Sequence, residues 1–424
     1  MGILLLYKTY SLVYYYITTI IIYNLRKVND MGIPSYADRM AGVSGSAVRE
    51  ILKLTQQPDI ISFGGGLPSA DSFPMEDLKA ILVELAENLT PGLLQYGETE
   101  GYRPLREEVA KLMATKGVNV ASDDVLITSG SQQGLDLVAK SFINPGDKIV
   151  VESPTYLAAL QTFRMYGAEF IEAPVDADGV IPEELAKILD NEENVKLIYM
   201  IPSFQNPSGR TVSAGRRQAI VDVVKNYDVI LIEDAPYEDL KYTDEVFPSM
   251  KSMDTTGQIL YFGSFSKVIT PGFRLGYSVA SEPILSRMII GKQSTDLNCS
   301  VFSQAVLAEF LKRGLLPDHL KKINAEYKAK RDLMLATLEE SMPEGITWTR
   351  PEGGLFLWLE LPAHMSTNEL FLKAVEKKVA YVAGDSFFAA GEPHNAMRIN
   401  FSNATPEKIV IGIKALAEVI KENM

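Results

Sequence analysis

Between residues 125 and 281 the chain alternates short apolar runs with longer amphipathic stretches. The runs are VLIT (125–128), KIVVE (148–152), EFIEA (169–173), VKLIYMI (195–201), VILIE (229–233), ILYFG (259–263) and LGYSVA (275–280). Several are apolar at nearly every position, as in strands buried on both faces. Between them, QGLDLVAKSFI (133–143) and AGRRQAIVDVVKNY (214–227) carry helical patterns. The alternation predicts an α/β domain built on a mostly parallel sheet. Beyond Pro283 the pattern changes. Residues 303–341 read as mainly helical, followed by WTRPEGGLFLWLEL (348–361), a helical pattern near 367–379, VAYVAG (379–384), MRINFS (397–402) and a last helix from about 406. That order predicts a smaller α+β domain. The expected organisation is a segment at 31–57 packing on the small domain, a large domain at 58–302 and the small domain at 303–424.

The first thirty residues stand apart. Residues 9–25 carry no charge, Arg26 and Lys27 follow, and six of the 19 tyrosines lie in the first 23 residues. Seventeen uncharged residues lie at the lower edge of a membrane span of about 17–25 residues. The charge follows the apolar run and no small-residue cleavage site comes after it, which fits a signal peptide poorly. Two readings remain, an N-terminal anchor or a misassigned start with Met31 as the first residue. The tyrosine crowding favours the second, so membrane association is not expected.

Composition narrows the function. At 424 residues, 46% hydrophobic and 22% charged, the chain is of ordinary globular make-up and long enough for a large core. Its one cysteine, Cys299, excludes an internal disulfide and reads as a structural thiol. Three histidines and one cysteine argue against a Cys/His zinc site, and no metal is expected. A net charge of −13 argues against a general nucleic-acid field. A soluble cytoplasmic enzyme is the expectation.

Four motifs carry candidate chemistry. In ITSGSQQGLDLV (127–138) a strand meets a Gly/Ser turn and a helix begins, so free N–H groups at Gly130, Ser131 and Gln132 could cradle a phosphate; a plain structural joint is an equal reading. In IPSFQNPSG (201–209), Asn206 falls beyond the carboxyl end of a strand, where open α/β sheets bind ligands; a turn-forming Asn is the simpler reading. In VILIEDAPYEDL (229–240), Asp234 ends a buried strand, where its charge needs a cation such as a protonated pyridine nitrogen, with Tyr237 three residues on. A helix-capping Asp is the alternative. In YFGSFSKVITPGFRLGY (261–277), Lys267 lies near Ser264, Ser266 and Arg274, which suits a lysine of depressed pKa for Schiff-base chemistry and a phosphate site.

Taken in order, these motifs resemble the fold-type I pyridoxal-phosphate enzymes and, within them, the class I/II aminotransferases. The resemblance covers residues 31–424. The phrases SFGGGLPSADSFP (62–74), LLQYGETEGYRPLRE (93–107), SFQNPSG (203–209), SFSKVITPGFR (264–274) and RPEGGLFLWLELP (350–362) are most similar to the 2-aminoadipate, kynurenine and aromatic aminotransferases. The resemblance implies a large domain with a mostly parallel seven-stranded sheet. It also implies that Lys267 bonds the pyridoxal 5'-phosphate cofactor and shuttles the proton, and that Asp234 pairs with the ring nitrogen. Asn206 and Tyr237 would bond the ring hydroxyl oxygen, and Tyr156 would stack on the ring. Ser131, Gln132, Ser264, Ser266 and Arg274 would hold the phosphate, with Tyr96 reaching that of a neighbouring subunit in a homodimer. Arg398 would grip the substrate α-carboxylate beside Gly65 and Asn206. Arg39 could bind a distal carboxylate, although a surface salt bridge is the simpler reading.

The implied reaction is ping-pong transamination of 2-aminoadipate, aromatic or branched-chain amino acids with a 2-oxo acid such as 2-oxoglutarate. The alternatives are a lyase or decarboxylase on the same fold, or a cofactor-binding regulatory domain. The roughly thirty apolar residues before Met31 are too short for a winged helix, which argues against the last.

Overall fold

The computed structural model describes residues 37–40, 59–391 and 394–424. The chain divides into two compact units, Met1–Val43 and Ser44–Met424, described separately. The leader, and most of the 31–57 segment, lie outside the described residues. In the first unit, Arg39 sits on the 3-10 turn Asp38–Met40.

The second unit is built on a seven-stranded sheet. Its strands are β1 (Val125–Thr128), β2 (Lys148–Glu152), β3 (Glu169–Ala173), β4 (Val195–Met200), β5 (Ile230–Asp234), β6 (Ile259–Ser264) and β7 (Gly276–Val279). The order across the sheet is β1-β7-β6-β5-β4-β2-β3. β7 runs antiparallel to both neighbours and every other pairing is parallel. All seven predicted strands are present, with ends shifted by at most one residue.

The near-continuous apolar runs have the meaning expected of them. Along β4, Leu197 and Tyr199 enter one core while Ile198 and Met200 enter another. β2 divides likewise, with Ile149 and Val151 on one side and Val150 on the other. The first core takes Leu135 and Val138 of helix Ser131–Phe142 and Ile284 and Met288 of helix Glu282–Gln293. The second takes Leu185 of helix Pro182–Asn191 and Ile220 and Val224 of helix Ala214–Val224. Helices therefore cover both faces of the sheet.

A four-stranded sheet follows, with β8 (Thr347–Trp348), β9 (Phe356–Glu360), β10 (Val382–Ala383) and β11 (Ala396–Asn400) in the order β8-β9-β11-β10. VAYVAG proves to be two short strands. Val379–Ala380 pairs in parallel with Ile61–Ser62, whereas Val382–Ala383 joins β11. The 303–341 region forms helices Val301–Lys312 and Leu316–Ser341. No helix among the described residues is long and apolar enough to cross a membrane.

This topology gathers the site. β4, β5 and β6 are adjacent and parallel, so their carboxyl ends open on one edge. Because β7 is antiparallel to both β6 and β1, β1 runs the same way as β6, and β7 begins at that edge.

Candidate active site

Asp234 is the last residue of β5 and is buried. Its Oδ2 accepts a 2.8 Å hydrogen bond from the Tyr199 hydroxyl, while its buried Oδ1 has no partner among the described residues. Burial pushes the carboxyl up to about 7, against the pull of the Tyr199 bond. Such a carboxylate lacks a cation.

Lys267 lies three residues beyond β6. Its Nζ donates to the Gly66 carbonyl at 2.7 Å. Burial, helped by the charges of Arg398 and Arg274, lowers the ammonium pKa to about 8. A substantial fraction of the lysine is thus neutral at a pH where an exposed lysine is almost fully charged.

Arg398 comes from β11, where it lies between Trp358 and Val382. Its Nη1 donates to Asn206 Oδ1 at 2.8 Å and its Nη2 to the Gly64 carbonyl at 2.7 Å, leaving the buried Nε without a partner among the described residues. The guanidinium carbon lies 4.3 Å from the Phe356 ring centroid and 5.1 Å from that of Phe387. Burial lowers its pKa to about 10, which leaves it charged at neutral pH. Asn206 Nδ2 donates to the Tyr237 hydroxyl at 3.4 Å, so Arg398, Asn206 and Tyr237 form one chain of contacts. Tyr156 is half-buried; burial and the Asp234 charge raise its pKa, against Arg398 and Arg274.

The glycine turn after β1 starts helix Ser131–Phe142. Gly130, at φ 76°, stands at the N-cap, and a Cβ there would come within 2.8 Å of Arg274 Nη2. Gly276 must also be a glycine, because its Cβ would sit 2.9 Å from Gly130 C and Ser131 N. Arg274, in the left-handed region at φ 52°, reaches Ser266 Oγ at 3.5 Å and the Ser129 carbonyl at 3.4 Å. Ser264 Oγ accepts from the Ser266 N–H. The Gln132 side chain turns away to Thr162 Oγ1 at 2.6 Å, so its backbone N–H in the helix's first turn is what it offers an anion. Tyr96 is 80% exposed.

Several contributors escaped the sequence reading. Tyr199 was seen only as a strand residue. Its signal was a hydroxyl inside a buried run, which must find a partner. The Gly64 and Gly66 carbonyls act through the backbone and leave no side-chain trace. Gln205 braces the Asn206 turn, donating to Glu152 Oε2 at 3.2 Å and to the Pro154 carbonyl at 2.7 Å. Burial pushes Glu152 up to about 8. Glu238 and Asp239, which follow Tyr237 in the chain, both pair with Lys116, Asp239 at 2.8 Å.

The chain matches the family described as aminotransferase class I and II over residues 58–416. It belongs to that family. It is 44% identical over 394 residues to aromatic-amino-acid aminotransferase 1 of Thermococcus litoralis, covering 92% of this chain and 94% of that protein. It is 36% identical to 2-aminoadipate transaminase of Thermus thermophilus, covering 89% of this chain and 94% of that one. A crystal structure of Pyrococcus horikoshii kynurenine aminotransferase in complex with PMP superposes with a TM-score of 0.88 at 43% identity, covering 92% of this chain and 97% of that one. The chain is a pyridoxal-phosphate-dependent aminotransferase of fold type I, as its motifs led us to expect.

The residues present in this aminotransferase fit the cofactor. A cationic ring nitrogen suits the orphaned Asp234 Oδ1. A phosphate suits the start of helix Ser131–Phe142, where the first-turn N–H groups of Ser131 and Gln132 lie near Arg274; the Gly130 N–H, expected to join them, instead donates to the Thr128 carbonyl at 2.8 Å. The carbonyl carbon suits the amine of Lys267, held near neutrality by burial.

Proposed function

We propose that this aminotransferase moves an amino group from 2-aminoadipate, an aromatic or a branched-chain amino acid to a 2-oxo acid such as 2-oxoglutarate, with ping-pong order. When bound, pyridoxal phosphate supplies an electrophilic carbon for the amine and a ring that draws electron density from the substrate α-carbon. Asp234 Oδ1 takes the ring nitrogen, Asn206 and Tyr237 hold the ring hydroxyl oxygen, and Tyr156 lies against the ring. The Ser131 and Gln132 N–H groups, Ser264, Ser266 and Arg274 hold the phosphate. Lys267 Nζ removes the α-proton and later returns it, which needs the neutral amine that burial favours. Arg398 takes the substrate α-carboxylate in its planar fork. Among the described residues, its chain neighbours aside, a Cβ on Gly65 would meet nothing nearer than Leu67 at 3.8 Å, which leaves that space for substrate.

The observation that carries this reading is the pair of opposite orphans, the Asp234 acceptor and the Arg398 donor, each buried with Lys267 in the same site. The names of the relatives favour the substrate range. We extend the reading to a cytoplasmic homodimer with large and small domains at 58–302 and 303–424. Tyr96, exposed beside Leu94 and a 560 Å³ cleft lined by Asn298 and Val301, serves the second copy's phosphate.

The test gives the loaded enzyme one donor at a time, with no 2-oxo acid. The expected result is a change in the cofactor's visible absorbance and release of one 2-oxo acid per site, reversed by 2-oxoglutarate. Carbon dioxide or ammonia release with an unchanged cofactor would favour the decarboxylase or lyase reading.

A further inference from the structure

We infer that Lys292 is a positioning residue for the phosphate-binding turn, acting through Gln133; this rests on the phosphate site proposed above. Lys292 lies on helix Glu282–Gln293 and its side chain is wholly buried. Its ammonium has three donors and uses all of them. Nζ lies 2.8 Å from Gln133 Oε1, 2.8 Å from Asp296 Oδ1 and 3.3 Å from Cys299 Sγ. Gln133 is the third residue of helix Ser131–Phe142. Its Oε1 also accepts the Ser129 N–H at 2.8 Å, and its Nε2 donates to Asp296 Oδ2 at 2.8 Å. The Ser129 carbonyl accepts from Arg274. Two cations therefore hold the Ser129 residue, Arg274 directly at its C=O and Lys292 through Gln133 at its N–H. Gly130, the next residue, leads into the helix whose first N–H groups, at Ser131 and Gln132, form the anion cradle.

A purely structural plug does not need this chemistry. The helices 131–142 and 282–293 already pack through Leu135, Val138, Ile284 and Met288. A buried ammonium is costly where a methionine would fill the space. What the lysine adds, its charge being balanced by Asp296, is a fixed bond to the residue that sets Ser129. It touches neither substrate nor cofactor.

The test measures dissociation constants for pyridoxal phosphate and for pyridoxal, which lacks the phosphate, in the wild type and in Lys292→Met, Gln133→Leu and the double variant. Thermal unfolding reports folding. The expected result is a loss of pyridoxal phosphate affinity of about tenfold or more in each single variant, no further loss in the double variant, and unchanged affinity for pyridoxal. Equal loss for both ligands, or no loss, overturns the inference. If Lys292→Met does not fold, Gln133→Leu decides by the same criterion. Arg274→Met separates the two levels. If it too leaves the ratio of the two affinities unchanged, the phosphate site itself is misassigned and the inference falls with it; if it alone changes the ratio, only the role of Lys292 fails.

Discussion

The two sheets bring opposite kinds of group to the site. At the edge of the seven-stranded sheet, burial has moved both key pKa values toward neutrality, Lys267 down to about 8 and Asp234 up to about 7. The four-stranded sheet contributes Arg398, fixed by two hydrogen bonds between two aromatic rings and still charged at neutral pH. Groups that gain and lose protons sit on one side, and a permanent cation sits on the other. Burial is common to both. The difference lies in intrinsic pKa, because an arginine starts so high that desolvation cannot discharge it.

The comparison breaks most severely at Lys267. Lys267→Ala removes the proposed proton carrier and is expected to lower the turnover number by at least about 10²–10⁴-fold, read in steady-state assays, while Arg398→Met is expected to leave proton transfer in place. Retained turnover in Lys267→Ala would contradict its role. Arg398→Met is expected to act chiefly on recognition, raising KM for amino and oxo acids and lowering kcat/KM about 10–100-fold. A fall in kcat alone would place Arg398 on the chemical side. Tyr199→Phe sharpens the comparison within the large sheet. It removes the one bond that holds the Asp234 pKa down, so that pKa rises further. Because the ring nitrogen needs an ionised Asp234, the expected result is a cofactor affinity weaker by about tenfold below pH 7, where the variant carries the smaller ionised fraction. The loss should shrink as pH rises well above 7, where Asp234 is ionised in both proteins. Equal loss at every pH would indicate simple misfolding.

The large sheet was the more legible half. Its strands lie buried on both faces, so each reads as an apolar run, and Asp234, Asn206 and Lys267 follow their ends within a few residues. Arg398 was placed by resemblance alone, because an arginine on an apolar strand does not announce the Gly64 carbonyl, 334 residues away, that it meets. VAYVAG read as one strand because two-residue strands that join different sheets have no periodicity to detect. The helices Met75–Glu87 and Arg103–Thr115 were not marked, since the strand alternation that organises the reading starts only at 125. The turn of the Gln132 side chain to Thr162 depends on a helix 30 residues on, which local sequence does not specify.

The central claim is that burial beside two arginines lowers the Lys267 pKa to about 8, so that a substantial fraction is a neutral amine near physiological pH. The direct measurement is the rate at which enzyme stripped of cofactor captures pyridoxal phosphate on Lys267, followed against pH. Only the neutral amine reacts, so the rate must rise with pH and level off above the lysine pKa. The expected midpoint is about 8. At pH 7 about a tenth of the sites would then be reactive, against roughly 1 in 3,000 for an unperturbed lysine. In Arg398→Met the midpoint should move upward, since a depressing charge has been removed. A rate that keeps climbing through pH 10, with no effect of Arg398→Met, would contradict the claim.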